Sequence, residues 1–408
     1  MLDRKRVVAS LERKKEQFTG YDAEIAAEQR RLADSFDAFR RQSGAALDAA
    51  ISASGEEWPG ALPTDDIDAA DGMRLAFGKE WNNHQEARAW AYEILRNRPV
   101  IAVDGSQITP TKDFSMPVGA VQVGWFVNEH RPAAPGAQNY VKDVQFEVLA
   151  PDELGDEDDS DAEGGFPNWR VNQQRFVLEC AKLCDLMEEY SDRPEAERPL
   201  CFFDGSFVIS FAGQLRENRA KVYIEAVDRL LHCSRKTRTP LVGFVDSSYS
   251  RDVVTLVNLL YAKAQISRSG DASLFGRILT AWGDRSPLFL CARRDSLNLD
   301  PKRLTKAPFY KEVAFTYINL VNDRAPARLE MPRWILDAGR AEEVIDRVRA
   351  ESVVGVGYPY AIETADALAV ISQQDRERFY RILQDFLEQS GIELSTARKM
   401  RSKEQRRS

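Results

Sequence analysis

The chain has 408 residues, of which 43% are hydrophobic and 29% charged, with a formal net charge of -8. That composition supplies a sizeable core and excludes a chain disordered throughout. No stretch approaches the roughly eighteen consecutive apolar residues of a membrane span, and MLDRKRVVASLERKKE places charges where a signal peptide needs its apolar run, so the expectation is a cytoplasmic protein without a membrane partner.

From Leu2 to about Ala53, Leu11, Phe18, Ile25, Leu32 and Phe39 recur every seven residues. Their companions Lys15, Asp22 and Gln29 are polar, which predicts a helical stripe that docks on the rest of the protein or on a partner, with a break near Gly20. A Pro-, Gly- and Asp-rich linker from Trp58 to Gly72 leads to another helix at about Phe77–Arg96. Three β-rich runs follow, at Pro99–Asp104, Ala120–Asn128 and Tyr140–Leu149. The acidic segment near 152–165 reads as a solvated loop. Beyond it come a helix at about Val171–Glu189, a strand at Leu200–Asp204, a helix at Leu215–Leu231, a strand at Leu241–Asp246 and a helix at Asp252–Ala264. The order β-β-β-α-β-α-β-α predicts an α/β, ribonuclease H-like mixed sheet flanked by helices, with a helical N-terminal extension. PLFLCA, EVAFTYINLV and ARLEMPRWI add strands, and two helices are expected at about Glu363–Ser372 and Arg376–Glu388. The implied division is a helical extension (1–97), a core (98–376) and a C-terminal helix with a basic tail from Arg398 to Arg407 (377–408).

Asp104 and Asp204 each end a buried-looking strand and are each followed by Gly-Ser. In open α/β sheets chemistry gathers at the carboxyl ends of strands, so neighbouring strands would set the two aspartates side by side. Glu179 sits mid-helix within RFVLECAKL, near an apolar stripe where a carboxylate needs a partner. Three converging carboxylates suit hard divalent cations such as Mg or Mn, and a two-metal site hydrolyses phosphodiesters. Asp-Gly is also a common turn dipeptide, and Glu179 could be an exposed helix charge. Five cysteines without a C-x-x-C pair and three scattered histidines argue against a disulfide framework, a zinc site or a Ser/His/Asp triad.

VIAVDGSQ, the helix carrying RFVLE, CFFDGSFV and GYPYAIETADALAVI together resemble the NurA nucleases over roughly Pro99 to Ser372. The resemblance implies a manganese-dependent single-strand endonuclease and 5' to 3' exonuclease, a homodimer, and a HerA-type hexameric ATPase partner in DNA end processing or defence. By position it makes Asp104, Glu179 and Asp204 metal ligands, and sets Tyr317, Tyr358 and Tyr360 around the active site as candidate DNA contacts. Many archaeal members carry histidine where this chain has Asp366 and lysine where it has Asp246. Asp366 is either a fourth catalytic carboxylate and metal ligand or a partner of its helix dipole. Asp246 is either a ligand or the cap of the next helix.

Arg175, one turn before Glu179, pairs with it or reaches the DNA phosphate. Weaker candidates are Ser106, Ser206 and Gln107 beside the turns, Arg251, Arg285, Arg293 and Arg294 as backbone contacts, and Trp125 and Trp282 as stacking rings. The rival function is a non-catalytic adaptor of the same fold that recruits a DNA translocase. An actin-like phosphotransferase is disfavoured because no second copy of the element order is found.

Overall fold

The computed structural model describes residues 2–112, 114–132, 139–155, 168–261, 268–293 and 309–392. The basic tail, Arg294 and the acidic segment beyond Gly155 lie outside them. The elements begin with helices α1 (Arg4–Glu12), α2 (Lys15–Phe39) and α3 (Gly44–Ser54), strand β1 (Gly60–Pro63), the single turn α4 (Asp66–Ala69) and helix α5 (His84–Leu95). Next come β2 (Val100–Ile108), β3 (Gly119–Asn128), β4 (Tyr140–Leu149), α6 (Pro151–Leu154), α7 (Asn168–Glu189), β5 (Leu200–Asp204), α8 (Glu217–Thr237) and β6 (Leu241–Val245). The rest is α9 (Asp252–Leu260), α10 (Asp271–Phe275), β7 (Phe289–Ala292), β8 (Val313–Ile318), β9 (Ala327–Pro332), α11 (Arg333–Asp337), α12 (Ala341–Val354), α13 (Tyr360–Ala369) and α14 (Gln373–Gln389). These group into two compact units, residues 81–243 with 337–408 and residues 1–80 with 244–336.

In the first unit the strand order is β6-β5-β2-β3-β4. β2, β3 and β4 form an antiparallel meander, with Val100 opposite Asn128 and Gly119 opposite Leu149, while β5 runs parallel to β2 from Val100↔Leu200 to Val103↔Phe203. Side chains alternate between faces along a strand, and three glycines show what covers each face. A Cβ at Gly105 or Gly119 would run into α7, at 2.8 Å from Arg175 Cγ and 2.7 Å from Val171 Cγ2; one at Gly124 would stand 2.9 Å from Ala369 N of α13. Helices therefore flank both faces of a mixed sheet, the ribonuclease H-like arrangement the element order predicts. α7 and α8 lie side by side and run the same way, since Gln173 donates to Arg219 O near their starts and Cys233 Sγ meets Cys184 O near their ends. Leu183, Met187, Val227 and Leu230 fill the core beneath them. At the far edge, β4 is exposed along most of its length.

The charged sequence of α12, AEEVIDRVRAESVV, looks like a solvated helix, yet Arg347, Arg349 and Glu351 are all buried. Arg347 donates to Pro99 O at 2.6 Å, and burial pulls its guanidinium down to about 10. Glu351 Oε2 accepts from Ala361 N at 3.0 Å and so caps the start of α13, while His130 Nε2 stands 3.4 Å from Oε1.

The second unit has the strand order β1-β7-β8-β9, every pair antiparallel. The expected linker at Trp58–Gly72 thus contains β1. Gly60, at φ +93, lets the strand lie against α9, for a Cβ there would stand 2.4 Å from Asp252 O. The N-terminal helices break at Arg13–Lys14, and Gly20 lies within α2. The seven-residue stripe docks over its second half alone: Leu32, Phe36 and Phe39 are buried, Phe36 and Phe39 against Phe275 and Tyr261, while Leu11 and Phe18 are exposed. At the core of this unit, fully buried Arg328 donates to Asp252 and Glu330 at 2.7 Å each, and Arg293 forks onto Asp252.

Candidate functional site

Both aspartates sit where β2 and β5 part. Their parallel pairing ends at Val103↔Phe203, one residue before Asp104 and Asp204. β5 then stops, turning through Gly205 at φ +144, a conformation that favours glycine. β2 does not end at Asp104, as the sequence implies, but continues to Ile108 against β3. Asp104 lies opposite Gly124, so its side chain leaves the sheet on the α13 face, the helix that carries Asp366, whose charge acts on it.

Glu179 arrives from the other face. It projects from α7 toward Gly105, where a Cβ would stand 2.5 Å from its Oε1, so the absence of a side chain there admits the carboxylate. Glu179 is only 7% exposed, and Oε1 has no hydrogen-bond partner; its nearest cation, Arg175 Nη1, is 3.5 Å away and donates instead to Gly105 O at 3.0 Å. Burial pushes Glu179 up to about 8, against the pull of Arg175 and with added repulsion from Asp104 and Asp204. Asp104 is raised to about 6, again chiefly by burial, with the backbone N–H of Gly105 opposing and Asp204 and Asp366 reinforcing the shift.

Asp204 is exposed, and its Oδ1 accepts from Tyr358 Oη at 3.2 Å. Asp366 lies in the second turn of α13, beyond the first turn where a carboxylate meets the helix dipole. Tyr360 opens α13 and packs edge-on against Phe126, 37% exposed. The structure thus gathers Asp104, Glu179, Asp204, Asp366, Arg175 and Tyr358 at one end of β2 and β5.

Tyr317 is elsewhere. It lies in the other unit with no exposed surface, donating to Asp271 and stacked on Phe275, so it has no free face for a base. Asp246 also falls in that unit, just past β6. Arg285 and Arg293 are held by Asp66 and Asp252, Arg251 donates to Ser269 O, and Trp282 donates to Leu320 O. In the first unit Lys182 sits over the Trp125 ring at 3.8 Å, and Gln107 donates to Asn172. Sequence reasoning missed the Glu351 cap that fixes the helix of Asp366, because nothing in its charge pattern marks it as buried. It also missed Gly105, for which the Asp-Gly pair offered a turn where the structure shows a strand with a gap in it.

As they stand, no three carboxylates, imidazoles or thiols among the described residues converge closely enough to hold a metal ion. The donors themselves fit one. All are hard carboxylate oxygens, Glu179 Oε1 is a buried acceptor without a hydrogen bond, and Asp104 feels the like charges of Asp204 and Asp366, which a cation would offset. All five cysteines are buried free thiols, outside this set.

A family model described as the NurA domain matches residues 98–371. The chain belongs to the NurA family. The NurA match runs from the start of β2 to the end of α13 and includes all four carboxylates. The NurA nuclease from Sulfolobus solfataricus is a similar solved structure, with 15% identity and a TM-score of 0.45 over 72% of this chain and 85% of that one. A structure of NurA with manganese is 9% identical, with a TM-score of 0.40 over 71% and 89%. Endonuclease V of Ciona intestinalis, bound to an inosine-containing DNA, is 10% identical, with a TM-score of 0.30 over 73% and 95%. No curated protein sequence matches the chain. Among the described residues no helix is long and apolar enough to cross a membrane.

Proposed function

We propose that this NurA-family protein is a divalent-metal-dependent DNA nuclease, cleaving single strands internally and from 5' ends, with Asp104, Glu179, Asp204 and Asp366 as its acidic centre. The carrying observation is Glu179: a carboxylate buried against β2, one oxygen unpaired, beside Asp104 within β2 and Asp204 at the end of β5, both of which repel it. A folded protein retains so unfavourable an arrangement when a ligand of opposite charge offsets it. Two manganese or magnesium ions would supply an activated water and stabilisation of the leaving oxygen. The chain's own residues do the rest. Tyr358 holds Asp204 in orientation through its hydroxyl, the Glu351 cap fixes the helix bearing Asp366, and Arg175, pinned to Gly105 O, presents its guanidinium beside the carboxylates for a phosphate oxygen.

A homodimer and a HerA-type hexameric ATPase are the proposed partners in DNA end processing. The exposed apolar residues Val8, Leu11 and Phe18 of α1 and the first half of α2 support this reading, being amphipathic surface open to a partner. Purified protein given manganese and single-stranded DNA should cleave it, and Asp104→Asn or Asp204→Asn should abolish cleavage while leaving the fold intact. Full activity in either variant refutes the assignment; DNA binding without cleavage by the wild type favours the adaptor.

A further inference from the structure

An aromatic ladder leads away from the carboxylates to the surface. Phe203, the residue before Asp204, packs edge-on against Phe176 at 5.8 Å; Phe176 meets Tyr223 at 5.1 Å, and Tyr223 meets Phe211 at 5.1 Å. Phe211 ends the series 46% exposed, on the short helical turn at Ser210–Gln214. Beside it, where α7 and α8 begin together, Arg219 and Arg170 stack on Trp169 at 3.7 and 4.6 Å, and the exposed Arg216 precedes α8. Arg175, whose charge acts on Tyr223, joins this group to Glu179. Arg170, Arg175, Arg216 and Arg219 thus gather around these rings in a chain of net charge -8.

We infer that the shared start of α7 and α8 is a binding track for single-stranded nucleic acid, with Phe211 as a stacking platform and Arg170, Arg216 and Arg219 as phosphate contacts. Interleaved rings and guanidinium groups are what an unpaired strand requires: each base offers a flat face and each linkage a charge. Trp169 and Glu179 lie ten residues apart on one helix, about 15 Å at 1.5 Å per residue, which puts the track within the span of a few nucleotides from the carboxylates. A half-exposed ring offers a stacking surface that unpaired bases can use, since a duplex keeps its base faces stacked. The track rests on the nuclease reading for its purpose but not for its detection.

The test is fluorescence anisotropy of a labelled oligothymidylate with full-length protein in EDTA, where cleavage does not intervene. Phe211→Ala should weaken binding about tenfold, as loss of one base–aromatic stack does, with an unchanged salt slope. Arg216→Ala and Arg219→Ala should each lower the slope of log affinity against log salt by about 0.7, the value for one phosphate on a single strand. Lys236→Glu, near the opposite end of α8, carries a larger charge change and should leave binding as in the wild type. Wild-type affinity and slope in the three track variants, equal loss in Lys236→Glu, or no binding by the wild type each overturn the track. Loss of binding in the track variants, with no manganese-dependent cleavage by the wild type, would uphold the track and refute the nuclease.

Discussion

Glu179→Gln removes the charge that burial disfavours while preserving the shape of the side chain. The folded protein holds the Glu179 proton to higher pH than the unfolded chain, so its stability contribution is complete at acid pH and is lost as pH rises from 4.5 through about 8. At about 1.4 kcal/mol per pH unit the displacement is worth about 5 kcal/mol, of which about 2 kcal/mol falls between about pH 6.5 and 8.5. Asp104, at about 6, is mostly ionised across that window and adds little to the slope. Urea denaturation of metal-free protein at the two pH values measures the loss directly. The wild type should lose about 2 kcal/mol more than Glu179→Gln across the window, and at the upper pH the variant should be the more stable protein. Adding manganese at the upper pH should stabilise the wild type by mass action and the variant less. Parallel pH profiles for the two proteins would refute the claim that Glu179 is buried as a carboxyl group.

Gly105→Ala should unseat Glu179, because the new Cβ meets Oε1 at 2.5 Å and Arg175 Cγ at 2.8 Å; manganese-dependent cleavage should fall at least tenfold while circular dichroism shows the fold intact. Tyr358→Phe removes the hydroxyl from Asp204 and should lower the cleavage rate severalfold with a change in stability within about 0.5 kcal/mol, checked by kinetics and denaturation together. Phe39→Ala should destabilise the protein by about 3–5 kcal/mol, whereas Phe18→Ala should change stability by less than about 0.5 kcal/mol, since the first ring is fully buried and the second exposed. Equal losses would show that the stripe docks along its whole length.

The sheet around the site was legible because its strands alternate or run apolar between clear turn signals, and Asp104, Glu179 and Asp204 stood out against that background. What escaped the sequence was contact between distant segments. The Tyr317 ring looks available in FTYINL, but β8 is buried on both faces and its residues carry no alternation to reveal an outer side. α12 went unread, since a buried guanidinium such as that of Arg347, paired to a backbone carbonyl, looks the same in sequence as a solvated one. β1 is four residues long in a Pro- and Gly-rich setting, too short for any periodicity to register. The half-docked stripe of α2 shows the same limit: a seven-residue repeat specifies a face and leaves open how much of it is covered.

The open side of β4 has a consequence for handling the protein. A ten-residue outermost strand with exposed Tyr140, Val144, Phe146 and Val148 is a template for chain-to-chain pairing. Its safeguards are three charged side chains, Lys142, Asp143 and Glu147, and the Asp143 carboxylate, which already occupies the Val144 N–H at 2.8 Å. Lys142 and Asp143 are exposed and Glu147 is half-buried, so added salt screens the repulsion they set against a second copy of the strand. Low ionic strength therefore keeps this open strand guarded, and concentrated salt is the condition under which copies of the protein would first join edge to edge.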